Sequence, residues 1–299
     1  MYVITGATGH TGTTAANALL ARGHSVRVVG RNAERLRPLT SAGAEAFVCD
    51  VTDAEKLTQA FQGAQAVYVL VPPNMTSNDF RAYQEQVSNA IATAVAKSKV
   101  KFVVSLSSIG ADKSDSTGPV AGLHNLEQKL NKIDGANVLH LRAGYFMENT
   151  LAQVGAIRAF GITGGPLRPD LKLTMIATRD IGAVVAETLL QLDFKGKQTR
   201  ELLGQRDLSM AEATAIIGKA IGKPGLSYTQ MPDDQFVGAL TQLGMSKNVA
   251  GLILEMAGAL NAGHMKALEP RSARNTTPTS YETFVAEEFM PAFRQQSAA

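Results

Sequence analysis

Through the first 150 positions, short apolar runs alternate with stretches in which apolar residues recur every three or four positions. The runs at residues 2–5, 25–29, 44–48, 66–71, 100–106 and 137–141 predict strands, and the stretches at 12–22, 33–40, 53–61, 78–97 and 120–133 predict helices. Apolar residues fill consecutive positions of the runs, as in strands covered on both faces. Such strands, separated by helices, predict a parallel sheet of the doubly wound α/β kind that binds nucleotides. Gly23 and Gly63 stand where C′ glycines would close the first and third helices.

After residue 150 the rhythm changes. Gly161-Ile162-Thr163-Gly164-Gly165-Pro166 predicts a turn-rich break. Beyond it the pattern predicts a strand at 171–176, a helix at 180–192 with Asp180 as its N-cap, and a strand at 200–203. A helix at 209–221, a strand at 226–230, helices at 233–243 and 247–262, and a terminal helix at 279–293 complete the reading. The expected architecture is a Rossmann sheet over residues 1–150 and a smaller, mostly helical substrate or lid domain over 151–299. Segments near 172–203 are expected to pack back on the sheet.

Composition narrows the function. Hydrophobic residues are 45% and charged residues 18% of the 299 positions, enough apolar material for a sizeable core. The net charge of +3 comes from 29 basic and 26 acidic residues spread along the chain, so no nucleic-acid surface is expected. Cys49 is the one cysteine. Its apolar setting, Phe47-Val48-Cys49, predicts an inert buried thiol in a reducing compartment. No apolar stretch approaches the ~18 residues of a membrane span, and no charged leader precedes the first strand, so the protein is expected in the cytoplasm. The histidines (His10, His24, His124, His140, His264) lack metal-ligand spacing, and no G-x-S-x-G elbow occurs.

The chemistry begins at Gly6-Ala7-Thr8-Gly9-His10-Thr11-Gly12, a G-x-x-G-x-x-G turn between the first strand and the first helix. Glycine there permits the tight turn, the approach of backbone to a pyrophosphate and close helix–strand packing, and the helix N-terminus supplies free amides. Gly6, Thr8, Gly9, His10, Thr11 and Gly12 are therefore candidate cofactor contacts. The second strand ends in Val28-Val29-Gly30-Arg31-Asn32, with no carboxylate before Glu34. Arg31, with Arg35 a turn further on, suits a 2′-phosphate, so NADP(H) is expected rather than NAD(H). Asp50 and Val51 are candidates to bracket the adenine, although Asp50 is equally placed to begin the loop before the Asp53 cap. Val71 and Pro72 are candidates for the ribose–nicotinamide side.

Together with Val29-Gly30-Arg31-Asn32 and Leu141-Arg142-Ala143-Gly144-Tyr145-Phe146-Met147-Glu148-Asn149, this turn resembles the NmrA-like branch of the atypical short-chain dehydrogenases/reductases. Thr178-Arg179-Asp180-Ile181-Gly182 and Asn275-Thr276-Thr277-Pro278 extend the resemblance over nearly the whole chain. It implies a cofactor cleft between two domains, in a branch that holds NADPH-dependent quinone and triphenylmethane-dye reductases as well as non-catalytic redox sensors.

Dehydrogenases of that superfamily use Tyr-x-x-x-Lys. The residues four places after Tyr2, Tyr68, Tyr83, Tyr145, Tyr228 and Tyr281 are Gly6, Pro72, Val87, Asn149, Pro232 and Val285, so the relay is absent. In its place stand Ser107-Ser108, either of which is a candidate donor to a substrate carbonyl, and His124 with Glu127 three residues on. His124 is a candidate proton donor, or else a surface histidine paired to Glu127. Lys129 is expected to be solvated. The family's layout sets Tyr145 beside the nicotinamide as a candidate to stack a planar substrate. The expected function is NADPH-dependent hydride transfer to a quinone or similar planar conjugated acceptor, by a monomer or homodimer. The alternative is a non-catalytic NADP(H) sensor that regulates a partner.

Overall fold

The structure is a computed structural model and describes residues 1–295. The first part of the chain lays down β1 (Tyr2–Ile4), α1 (His10–Leu20), β2 (Val26–Gly30), α2 (Ala33–Ser41), β3 (Glu45–Val48) and α3 (Ala54–Phe61). It continues through β4 (Ala66–Val69), α4 (Phe80–Ser98), β5 (Phe102–Ser108), α5 (Val120–Asn131) and β6 (Asn137–Ala143). Successive strand residues feed opposite cores, because side chains alternate across a sheet. Tyr2, Ile4, Val28 and Tyr68 join one core with Leu19 of α1. Val3, Val29, Val67 and Val69 join the other with Leu57, Ile91 and Leu126 of α3, α4 and α5.

The second half comprises β7 (Tyr145–Phe146), a 3₁₀ segment (Met147–Ala152), α6 (Gln153–Phe160), β8 (Thr163–Gly165), β9 (Leu173–Ile176) and α7 (Thr178–Gln191). Then follow β10 (Lys197–Leu202), β11 (Asp207–Leu208), α8 (Met210–Ala220), β12 (Tyr228–Gln230), α9 (Asp233–Gln242) and α10 (Lys247–Asn261). The main sheet is parallel throughout, with strand order β10-β6-β5-β4-β1-β2-β3, the doubly wound arrangement. β10 pairs along its length with β6, and α7 lies against α1. The helices approach so closely that a Cβ on Gly182 would stand 2.7 Å from the Thr11 carbonyl oxygen. Two small sheets, β11-β9-β7 and β12-β8, share a third core with α8 and the C-terminal segment, built on Met147, Met175, Tyr281, Phe284 and Phe289.

Three local expectations change. Residues 163–165 of the glycine-rich break form β8, because β12 supplies a parallel partner. Asp180 is not the N-cap of α7; Ala177 is, and the Asp180 carboxylate instead accepts the Thr279 amide at 3.0 Å and the Thr279 hydroxyl at 2.6 Å. The terminal helix starts at Tyr281 and widens to a π turn over Val285–Phe289. Cys49 is buried, and burial together with Asp53 and Asp50 pushes its thiol up to about 11. Among the described residues no helix is long and apolar enough to cross a membrane.

Candidate active site

Order reverses between β1 and β4, and ligands of such sheets bind outside the carboxyl ends of the strands at that point. The glycine turn lies there. Gly6 has φ +60°, and the Gly9 amide donates to the Gly6 carbonyl at 2.9 Å, closing the turn. A Cβ on Gly12 would stand 2.4 Å from that carbonyl oxygen, so α1 seats against the turn only with glycine. Gly9 precedes α1 in an extended conformation, without a side-chain cap. The first-turn amides therefore face outward with the positive end of the helix dipole. Thr8 and exposed His10 border a cavity of about 330 Å³ with Thr178, Arg179 and Glu288. The Thr11 side chain turns inward. It is buried and its hydroxyl bonds the Tyr68 hydroxyl at 3.0 Å, leaving only the Thr11 backbone to the turn's outer face.

At the end of β2, Asn32 caps α2 by accepting the Glu34 and Arg35 amides, and Glu34 pairs with Arg37 at 2.7 Å. Arg31 and Arg35 are exposed and make no ion pair among the described residues. Free guanidinium groups just beyond a β-strand terminus suit a phosphate. Asp50 Oδ1 accepts the Thr52 amide at 2.9 Å and the Thr52 hydroxyl at 2.8 Å, so that oxygen shapes the loop. Tyr83 of α4 feels both Asp50 and Arg31. Burial raises its phenol pKa, with Asp50 adding and Arg31 opposing. Val51 is buried in the core behind.

A second, larger cavity of about 420 Å³ opens above β4, β5 and β6. Leu70, Leu106 and Ala143 line its floor, Tyr145 and Phe146 one wall, and Val249, Ile253 and Met256 of α10 its roof. Leu70 joins the two sites, since a Cβ on Gly6 would stand 2.9 Å from its methyl group. The roof is tied down. Ser246 donates its amide to the Met75 carbonyl at 2.9 Å, Asn248 accepts the Phe80 amide at 2.8 Å, and Glu255 accepts the Gly118 amide at 3.0 Å. Val71 and Pro73 line this cavity, and Pro72 is not among its lining residues.

Ser107 lines the cavity, and its hydroxyl donates to Glu127 Oε1 at 2.6 Å. Arg142 grips the same carboxylate with two bonds, Nε at 3.0 Å and Nη2 at 2.7 Å. Glu127 is therefore taken, and the expected His124–Glu127 pair does not form. His124 is half-buried, outside the cavity lining, and donates from Nδ1 to the Ala111 carbonyl at 2.8 Å. Lys129 is not free either, since it pairs with Glu85 of α4 at 2.8 Å. Ser108 reaches the cavity while donating to the Ile109 carbonyl at 3.0 Å. Tyr145 faces the cavity with its hydroxyl bonded to the Asn149 side chain; burial pushes the phenol up to about 12.

Sequence reasoning missed Gln84, the Glu127–Arg142 pair and the methionines Met75, Met256 and Met265 of the cavity. Arg142 lies in the Leu141–Asn149 segment and Glu127 beside His124, but neither stretch shows that the two pair, and Gln84 and the methionines belong to no local motif. They converge only when α4, α5 and α10 pack together.

A model of the NmrA-like family matches residues 2–290. The chain belongs to the NmrA-like family. Its relatives within and around that family include an NAD(P)H azoreductase of Xenophilus azovorans, 28% identical over 258 residues, 86% of either chain. Among solved structures it is similar to the NADPH-dependent quinone oxidoreductase QOR2 of Escherichia coli in complex with NADPH, with 23% identity and a TM-score of 0.80 over 97% of this chain and all of the other. It is also similar to the triphenylmethane reductase of Citrobacter sp. complexed with NADP(H), with 17% identity and a TM-score of 0.75 over 95% of this chain and 98% of the other.

Proposed function

We propose that this NmrA-like protein is an NADPH-dependent reductase acting on a quinone or another planar, conjugated acceptor. The observation that carries the reading is the apolar cavity at the strand ends, joined to the glycine turn through Leu70. The turn fits a dinucleotide. Its orphan amides and the close seat at Gly12 accommodate a pyrophosphate, and unpaired Arg31 offers the contact that selects a 2′-phosphate. NADPH, when bound, supplies the hydride. The relatives named above act, by their names, on azo compounds, quinones and dyes, all extended conjugated molecules.

The residues of the chain then hold and dry the acceptor. Leu106, Phe146 and the α10 side chains enclose a flat ring and exclude water, which strengthens the electrostatics of the transfer. The reduced quinone leaves as a phenolate whose pKa is about 10, like that of tyrosine, and takes its proton from water. A dedicated acid is therefore dispensable, which accounts for an active site without Tyr-x-x-x-Lys. Tyr145 keeps its own proton, since burial makes it a weaker acid than free tyrosine. Ser107, committed to Glu127, orients and does not donate. His124 acts at most from behind the cavity wall.

The missing relay also favours a second reading, a non-catalytic NADP(H) sensor. The test is to mix the purified protein with NADPH and a panel of quinones, azo compounds and triphenylmethane dyes and follow the nicotinamide absorbance. Oxidation supported by at least one acceptor is expected. Tight NADPH binding with no oxidation by any of them would overturn the reductase reading in favour of the sensor.

A further inference from the structure

The large cavity is uncharged. Among the described residues its lining holds no aspartate, glutamate, lysine, arginine or histidine. Its polar side chains are hydroxyls and amides, those of Ser107, Ser108, Tyr145, Asn149 and Thr174 among them, and they include donors as well as acceptors. The charges behind its walls are already matched. Glu127 is held by Arg142 behind Ser107, and Glu255, beside Met256 on the roof helix, pairs with Arg81 at 3.4 Å. Pro119 and Val120 bring the N-terminus of α5 to the cavity, but the Val120, Ala121 and Gly122 amides donate to the Thr117, Gly118 and Pro119 carbonyls. That helix end therefore has no free first-turn amide to offer an anion.

An ion that enters such a space gives up its hydration and meets no counter-charge, which costs far more than burying a neutral ring. We infer that the cavity selects acceptors that carry no charge on the ring to be reduced. This inference rests on the reductase reading and specifies its substrate class. Hydride transfer itself favours the same class. The C–H bond of the cofactor ring breaks with its electron pair, which forms the new bond on the acceptor. A neutral acceptor thus becomes an anion opposite a newly positive ring, and the total charge in the cavity is zero before and after. An ionic acceptor brings a net charge that the transfer conserves. Cationic triphenylmethane dyes therefore fall outside the class, although one relative is named for them.

The test uses two pairs of 1,4-naphthoquinones matched in shape and differing in charge at ring position 2. One pair is the carboxylate and the carboxamide; the other is the trimethylammoniomethyl cation and its neutral neopentyl isostere. Their affinities are measured by calorimetry on the full-length protein saturated with 1,4,5,6-tetrahydro-NADP, whose ring has neither a charge nor a transferable hydride. Each neutral quinone is expected to bind at least about tenfold more tightly than its ion. Met75 lines the cavity and is 46% exposed, so a lysine there keeps its charge in reach of both cavity and water. Met75→Lys is expected to narrow the carboxylate ratio by about threefold and to widen the cation ratio, whereas Met75→Gln should shift neither. Equal binding within either pair by the wild-type protein would overturn the inference. So would a Met75→Lys protein in which both ratios move the same way or stay fixed, since shape and not charge would then set them. Oxidation of NADPH by both members of a pair with equal affinity would leave the reductase reading standing and remove this one alone. Failure of every quinone to bind would remove both.

Discussion

Glu127 is 3% and Arg142 13% exposed, and they form a two-bond ion pair directly behind Ser107. Converting Glu127 to Gln keeps the shape but strands the guanidinium beneath the cavity floor. Breaking a buried pair from one side costs about 3–5 kcal/mol, because the surviving charge has lost both water and its counter-charge. Asp112 and Glu201 also act electrostatically on Arg142, which places the expected loss at the lower end, about 3 kcal/mol. At roughly 2–4 °C per kcal/mol for a chain of this size, the melting temperature should fall by about 6–12 °C. Urea unfolding followed by circular dichroism measures the loss directly. The double change Glu127→Gln with Arg142→Met removes both charges and should return to within about 1 kcal/mol of the wild type. NADPH affinity should stay the same, since the glycine turn does not touch the pair, while KM for the acceptor should rise as Ser107 loses its anchor. A Glu127→Gln protein within 1 kcal/mol of the wild type would refute the reasoning. It would mean that water or another carboxylate reaches Arg142.

Two further expectations follow from isolated groups. Arg31→Ala should weaken NADPH by about tenfold or more, the worth of a charge-assisted bond, and NADH by less than about threefold, as read by nicotinamide fluorescence titration; equal losses would mean that Arg31 does not read the 2′-phosphate. His140 is buried between Ser105 at 2.7 Å and Asn131 at 3.0 Å, and burial, opposed by Glu127, lowers its pKa to about 4 from an ordinary 6.5. The unfolded chain thus takes up a proton that the folded protein refuses, so this histidine's contribution to stability is lost as pH falls from 6.5 towards 4. Between pH 7 and pH 5 the loss is about 2 kcal/mol, and a His140→Asn variant should lack that part of the slope in urea titrations. An unchanged slope would assign the acid sensitivity to other groups.

Legibility in the sequence divides along the range of the forces involved. Strands such as Ala66–Val69 and helices such as Phe80–Ser98 were visible because a parallel strand buried on both faces must be apolar at every position, and a covering helix must be apolar every three or four. The glycine turn was visible because its steric demands fall within seven consecutive residues, Gly6 to Gly12. Arg31 was visible because the fold sets it at a fixed distance along the chain from that turn.

Tertiary structure decided what depends on distant partners. Residues 163–165 became a strand because β12 lies beside them, although their composition favours a turn. Asp180 turned from its expected cap to Thr279, 99 positions away. Thr11 faced inward to Tyr68, and His124 was passed over because Arg142 and Ser107 had already claimed Glu127. The large cavity itself is assembled from α4, α5, α10 and residues at or beside β4, β5, β6, β7 and β9, with no stretch of chain carrying its signature. A parallel sheet gathers its active site from the ends of elements far apart in sequence. The sequence by itself therefore determined the frame and the cofactor turn, while the chemistry of the cavity exists only once the helices have packed.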